Sequence, residues 1–159
     1  AVSTYNTAFK LSPPLRSEDD RKAVVEGLAD GTIDAISSDH MPVDRDAKMQ
    51  PFGQAQPGAS AVDTLLALCL TLVHQGQISM TRMIEALSMA PASILDIEGG
   101  TLRPGNAADF ILFRPNSGWI ITGANFISDS RITPFESHPV QGLVDATYVD
   151  GVCVFNRYA

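Results

Sequence analysis

The chain is poor in basic residues, cysteine and aromatic side chains. Its 159 residues hold 11 lysines and arginines against 18 aspartates and glutamates, two cysteines, and 7% aromatics. The net charge of −7 comes without any cluster of Lys and Arg. Phosphate binding needs concentrated cations, so no nucleic-acid partner is expected. The acidic residues are dispersed, which is the pattern of a solvated surface. Long apolar runs are also missing. The longest, Ala61 to Val73, is interrupted by Asp63 and two threonines, and is too short and too polar to span a bilayer. The first residues lack a basic segment followed by an apolar core, so neither a secretory leader nor a membrane partner is expected. Cys69 and Cys153 have no metal-type spacing. Both read as buried small hydrophobes in a reducing, cytoplasmic setting.

What the chain does have is apolar material for a core, 45% of its residues, in a length suited to one domain or slightly more. Pro13 and Pro14 force an extended loop after Lys10. Ser17, followed by Glu18, Asp19 and Asp20, predicts an N-cap and a first helical turn. Ala23, Val24 and Leu28 give that helix a narrow apolar face, and Gly31 ends it. Ile33 to Ile36 reads as a buried strand, so helix and strand alternate as in an α/β chain. Residues 43–58 are rich in Asp, Lys, Gln, Pro and Gly and predict a long functional or mobile loop.

Ser60 and Asp63 suggest a capping box ahead of a helix from Ala61 to about Gln75. That helix would bury Leu65, Leu66, Leu68, Cys69, Leu72 and Val73, with Gly76 closing it. Ser79 predicts the cap of a helix carrying Met80, Met83, Ile84 and Leu87, and Met89 also reads as core. Pro91 to Leu95 reads as a separate short helix. Beyond Gly100 the period becomes strand-like. Short strands are expected at Phe110–Phe113, Trp119–Ile121, Ala146–Val149 and Val152–Phe155, the last two joined by an Asp150-Gly151 turn. Gly105 and Asp109 read as architectural, for a turn and a backbone cap. The expected organisation is α/β over 1–98 and a small β domain over 99–159, a layout too lopsided to close a barrel or a doubly wound sheet and so read as the C-terminal part of something larger.

Asp39 is the strongest chemical candidate. It closes the run Thr32-Ile33-Asp34-Ala35-Ile36-Ser37-Ser38-Asp39-His40, and the C-terminal end of a parallel strand is where active-site side chains project. It reads as a metal ligand or proton-transfer carboxylate, or else as a turn former. His40 reads as a structural histidine, His74 as a dipole contact at a helix C-terminus. Arg16 reads as an anion clamp or a loop-anchoring ion pair.

Several stretches together resemble the amidohydrolase superfamily, and within it the bacterial dihydroorotases. Lys10-Leu11-Ser12-Pro13-Pro14-Leu15-Arg16 is similar to K-x-N-P-P-L-R. Asp30-Gly31-Thr32-Ile33-Asp34 through Ser38-Asp39-His40-Met41-Pro42 is similar to D-G-x-I-D-x-I-x-[ST]-D-H-A-P. Lys48, Pro51-Phe52, Ala55, Gly58 and Asp63-Thr64 follow K-x-x-P-F-x-x-A-x-x-G-x-x-x-E-T. Ala90-Pro91-Ala92 resembles N-P-A. Gly100 to Asp109 and Ser130-Arg131-Ile132-Thr133-Pro134-Phe135 resemble G-x-L-x-x-G-x-x-A-D and S-R-N-T-P-F.

The resemblance implies a TIM-barrel hydrolase joined to a small β-sandwich-type unit, with one or two zinc ions at the barrel mouth. Asp39 would be both metal ligand and catalytic base, and the other ligands would lie outside this chain. The implied reaction is the reversible conversion of N-carbamoyl-L-aspartate to L-dihydroorotate in pyrimidine synthesis, in a homo-oligomer, with this chain inactive alone. Four family substrate positions fall on Ser12, Val43, Pro57 and Gly58; only Gly58 keeps the family residue. Valine at 43 replaces a histidine that binds the substrate carboxylate, and it can neither donate a hydrogen bond nor carry charge. Losing such a charge-assisted bond costs about 1.5–3 kcal/mol. The same departures resemble noncatalytic members that assemble with aspartate carbamoyltransferase. An allantoinase- or hydantoinase-like hydrolase is the third reading.

Overall fold

The computed structural model describes residues 2–159. Its contacts divide the chain into two units, one of Ala1–Arg21, Ser38–Leu66 and Ile120–Pro139, the other of Lys22–Ser37, Ala67–Trp119 and Val140–Ala159. Helix and sheet are both present, so the fold is α/β.

Helix α1, Glu18–Asp30, starts at a complete capping box. The Asp20 backbone N–H donates to Ser17 Oγ at 3.2 Å, and Asp20 Oδ2 accepts from the Ser17 N–H at 3.1 Å and hydroxyl at 2.8 Å. These bonds hold the Asp20 carboxyl below the usual range. Arg16 is an ion-pair partner of Asp20 at 3.4 Å, the contact that the loop-anchoring reading calls for. The apolar face is narrower than expected: Leu28 is buried, whereas Val24 is 57% exposed.

The strand expected at Ile33–Ile36 is not formed; no residue of that run is in a ladder. A strand needs a neighbour, and this segment finds none among the described residues. Instead Ile33 N–H bonds Gly27 O at 2.9 Å and Ile36 N–H bonds Ala86 O at 2.9 Å. Arg82 clamps the same segment, donating to the carbonyls of Leu28, Ile33 and Asp34.

Residues 43–58 are more ordered than a mobile loop. They contain the one-turn helix α2, Arg45–Lys48, and bury Val43, Lys48, Ala55 and Gly58. The next helix also differs from expectation. A 3-10 turn at Val62–Thr64 leads into α3, Leu65–His74. The Ser60–Asp63 box does not form, because both side chains are used elsewhere: Ser60 Oγ donates to Ser130 O, and Asp63 Oδ1 accepts the Ile127 N–H at 3.2 Å. The fully buried positions are Thr64, Ala67, Cys69 and Leu70, while Leu65, Leu66, Leu68, Leu72 and Val73 are half-buried. Gly76, at φ 69, closes α3 as expected. Its N–H reaches Val73 O and the Gln77 N–H reaches Leu72 O, both at 2.9 Å, the paired bonds of a Schellman motif.

Helix α4, Met80–Ile84, has the expected Ser79 cap, with the Arg82 N–H donating to Ser79 Oγ at 3.0 Å. It does not stop before Pro91. A widened π turn at Glu85–Met89 carries it into α5, Ala90–Ile94. Proline lacks the N–H of a regular α ladder, and a widened turn lets the chain pass through it. Met83 is buried, but Met89 is 46% exposed and Ile84 44%, so neither belongs to the core.

The sheet has three strands in the order β1-β2-β3: Phe110–Ile120, Pro139–Val149 and Val152–Asn156. The two strands expected around Phe110 and Trp119 are one. Its inner residues Pro115 to Gly118 resemble a turn in composition, yet pairing with β2 carries them through. Asp150 and Gly151, at φ 49 and 76, make the expected hairpin turn, with Val149 opposite Val152. Asp109 Oδ1 accepts the Asp150 N–H at 2.7 Å, as its capping role requires. Every residue of β3 is exposed, Cys153 included, which corrects the buried reading of that thiol. The least exposed apolar side chains are Leu70, Met83, Ala86 and Ile121. No described helix is long and apolar enough to cross a membrane.

Candidate functional site

Three segments of the first unit are tied edge to edge around Asp39. The Met41 N–H donates to Ala59 O at 3.0 Å, and the Ser60 N–H donates to Ile132 O at 2.8 Å. Ser130 Oγ donates to Val43 O at 2.8 Å and accepts from the Val43 N–H at 3.3 Å. Ser60 Oγ adds bonds to Ser130 O and to the Ser128 hydroxyl. Residues 39–43, 58–61 and 128–135 therefore share one hydrogen-bonded framework.

His40 supplies a further tether. Its Nδ1 accepts the N–H groups of Ala61 and Val62 at 3.1 and 3.2 Å. Two accepted bonds leave Nδ1 without a proton and place the ring N–H on Nε2. The structural reading of His40 holds in this geometry. Asp39 beside it adopts φ 45, a left-handed conformation that Asp tolerates better than most residues.

Asp39 lines a cleft of about 150 Å³. Its polar wall is Ser12, Ser38, Asp39 and the Gly58 backbone; Leu11, Pro13, Ala59, Ala61, Pro134 and Phe135 make the apolar wall. Gly58 is needed for close approach. At φ 127, a Cβ there would lie 2.5 Å from Met41 O and 2.8 Å from Val43 Cγ2. The structure thus brings together Ser12, Asp39 and Gly58 from the sequence-based set. Val43 and Pro57 do not line this cleft. Val43 is 4% exposed and borders a second cavity of about 360 Å³ with Asp44, Arg45, Asp129 and Arg131. Pro134 and Phe135, within the stretch Ser130 to Phe135, line the cleft although nothing in their local sequence marks them for it.

Lys48 is the other feature that composition concealed. It is 2% exposed, and its Nζ donates to Thr7 O at 2.9 Å and Lys10 O at 2.8 Å. Burial lowers its pKa from the ordinary lysine value, and the charge of Lys10 adds to that.

The donor chemistry of the cleft amounts to one carboxylate and two hydroxyls. No group of three or more His, Cys, Asp or Glu among the described residues could hold a metal ion. A catalytic zinc centre uses three protein ligands, so these residues do not by themselves fit one. Their chemistry is that of a carboxylate able to accept and return a proton beside a small, partly apolar cleft.

Residues 9–154 match the family described as the Amidohydrolase family. The chain belongs to that family. Among curated relatives, a dihydroorotase of Syntrophus aciditrophicus (strain SB) is 43% identical over 157 residues, which are 99% of this chain and 37% of that protein. A dihydroorotase-like protein of Pseudomonas putida is 39% identical over 154 residues, 96% of this chain and 36% of that one. Among solved structures, the L-hydantoinase (dihydropyrimidinase) from Arthrobacter aurescens matches with a TM-score of 0.89 and 30% identity, covering 98% of this chain and 36% of that structure. This amidohydrolase chain therefore spans little more than a third of the length of those relatives.

Proposed function

We propose that the chain is the C-terminal part of a dihydroorotase-like cyclic amide hydrolase, interconverting N-carbamoyl-L-aspartate and L-dihydroorotate. Residues 1–98 would complete a TIM barrel and 99–159 a small β domain. The observation that carries the reading is Asp39, with a left-handed φ, lining a cleft together with Ser12 and Gly58. The carboxylate oxygens of Asp39 would take a proton from the attacking water and return it to the leaving nitrogen. Ser12 and the Gly58 backbone would bind the substrate, with Pro134 and Phe135 excluding water from one side. Zinc, implied by the resemblance, would draw its other ligands from outside these residues, and these residues alone would not turn over substrate.

The test is Asp39→Asn in the whole protein. Asparagine tolerates the left-handed backbone as aspartate does, so the fold should survive. Its amide cannot accept the proton, and kcat should fall by about 10²–10⁴-fold. An unchanged kcat would reduce Asp39 to a turn former.

A second reading has its own support. Val43 is buried and bonded through its backbone to Ser130, outside the Asp39 cleft, and the 39%-identical Pseudomonas putida relative is named dihydroorotase-like. A noncatalytic homologue assembled with aspartate carbamoyltransferase would fit this, and co-purification of the two from an inactive whole protein would favour it.

A further inference from the structure

Lysine is among the residues least often buried, and when buried it is usually paired with a carboxylate. Lys48 departs from that pattern: at 2% exposure, its Nζ binds the carbonyl oxygens of Thr7 and Lys10. The second acceptor is shared. Lys10 O also takes the Gly58 N–H at 3.0 Å, so both of its lone pairs are engaged. Immediately after Lys10 come Leu11, Ser12 and Pro13, which form one side of the Asp39 cleft, while Gly58 forms another.

We propose that Lys48 is a positioning residue for substrate binding: its buried ammonium fixes the Lys10 carbonyl and so holds the Leu11–Ser12–Pro13 wall against Gly58. This rests on the dihydroorotase-like reading for the substrate, but not for the tether. Asp39 is held by separate bonds, through His40 to Ala61 and Val62 and through Met41 to Ala59. Loosening the Lys48 tether therefore moves the binding wall while leaving the proton-transfer group in place. Lys10 does not duplicate this function. Its own ammonium points to Phe52 O and Gly53 O, at 2.7 and 3.0 Å. Burial and the like charge of Lys10 both disfavour the Lys48 cation. A cation kept at such a cost is held by its two carbonyl bonds.

The experiment is Lys48→Met in the whole protein, with steady-state kinetics on L-dihydroorotate and hydrogen exchange at the Gly58 amide. Methionine keeps most of the unbranched side chain and removes the donor. A charge-assisted bond of this kind is worth about ten- to a hundredfold, so KM should rise by about that factor. Over the same substitution kcat should move less than about threefold, a change too small to cost even half of that bond, and the Gly58 amide should exchange faster. An unchanged KM, or a fall in kcat at constant KM, would overturn the proposal. If Lys48→Met does not fold, Lys48→Leu, which also removes the donor, is read by the same criteria. If the wild-type protein has no turnover on dihydroorotate, the dihydroorotase reading fails. The tether is then judged by Gly58 exchange alone, where an unchanged rate refutes it.

Discussion

Gly58→Ala is the substitution that most directly tests the geometry of the cleft. Gly58 sits at φ 127, where a Cβ would come within 2.5 Å of Met41 O and 2.8 Å of Val43 Cγ2. The clash is with backbone on one side and with a valine 4% exposed on the other, so neither neighbour can swing away. Two costs combine. Forcing a side-chain-bearing residue into this backbone region costs about 1–3 kcal/mol, and overpacking a filled site costs about 1–3 kcal/mol more. A loss of about 2–6 kcal/mol is therefore expected. Gly76→Ala is the matched comparison, because Gly76 also has positive φ, 69, but nothing lies within 4 Å of its added Cβ. It should lose only the left-handed penalty, about 1–2 kcal/mol. Gly53→Ala, with open space and no left-handed φ, should be near neutral. Urea unfolding followed by circular dichroism gives all three values from the shift in midpoint at constant slope. If Gly58→Ala and Gly76→Ala destabilise equally, the close approach of residues 41–43 to Gly58 is not as described.

His40→Ala removes the acceptor for the Ala61 and Val62 N–H groups and should destabilise by about 0.5–2 kcal/mol, the range for a lost helix cap, while His40→Asn, which keeps an acceptor, should recover part of it in the same urea assay. Burial pushes the Cys69 thiol up to about 11 from 9.0, which lowers its thiolate fraction at pH 8 about 100-fold, so a thiol reagent at that pH should leave Cys69 unlabelled while it modifies the exposed Cys153. Because the folded-state pKa of Cys69 is the higher one, its contribution is complete below pH 9 and is lost as pH rises through about 11. That amounts to at most about 2.7 kcal/mol from a shift of this size. A Cys69→Ser protein should lack this alkaline loss, and an identical pH profile in the two proteins would count against it.

Local chemistry determined by the sequence survives wherever a signal and its partner lie within a few residues. The Ser17–Asp20 box, the Ser79 cap, the Schellman closure at Gly76 and the Asp150-Gly151 hairpin are all present. Each satisfies backbone groups at fixed short offsets, so the residues alone specify it. The family kinship was legible for a related reason: ordered motifs need no three-dimensional information. Wherever a group had a choice of distant partners, only the tertiary structure decided. Ile33 to Ile36 has a strand's composition but no ladder, because pairing belongs to two segments rather than one. Ser60 and Asp63 have a capping box's spacing, yet Ser130 O and the Ile127 N–H outcompete it. Lys48 looks like a surface lysine until Thr7 O and Lys10 O, 41 and 38 residues away, are folded onto its ammonium. Val43, read as a substrate position, is buried, and its carbonyl accepts the hydroxyl of Ser130, 87 residues distant. Long-range bonds depend on which segments the fold brings within 3 Å of one another, and that information is not contained in any local stretch of residues.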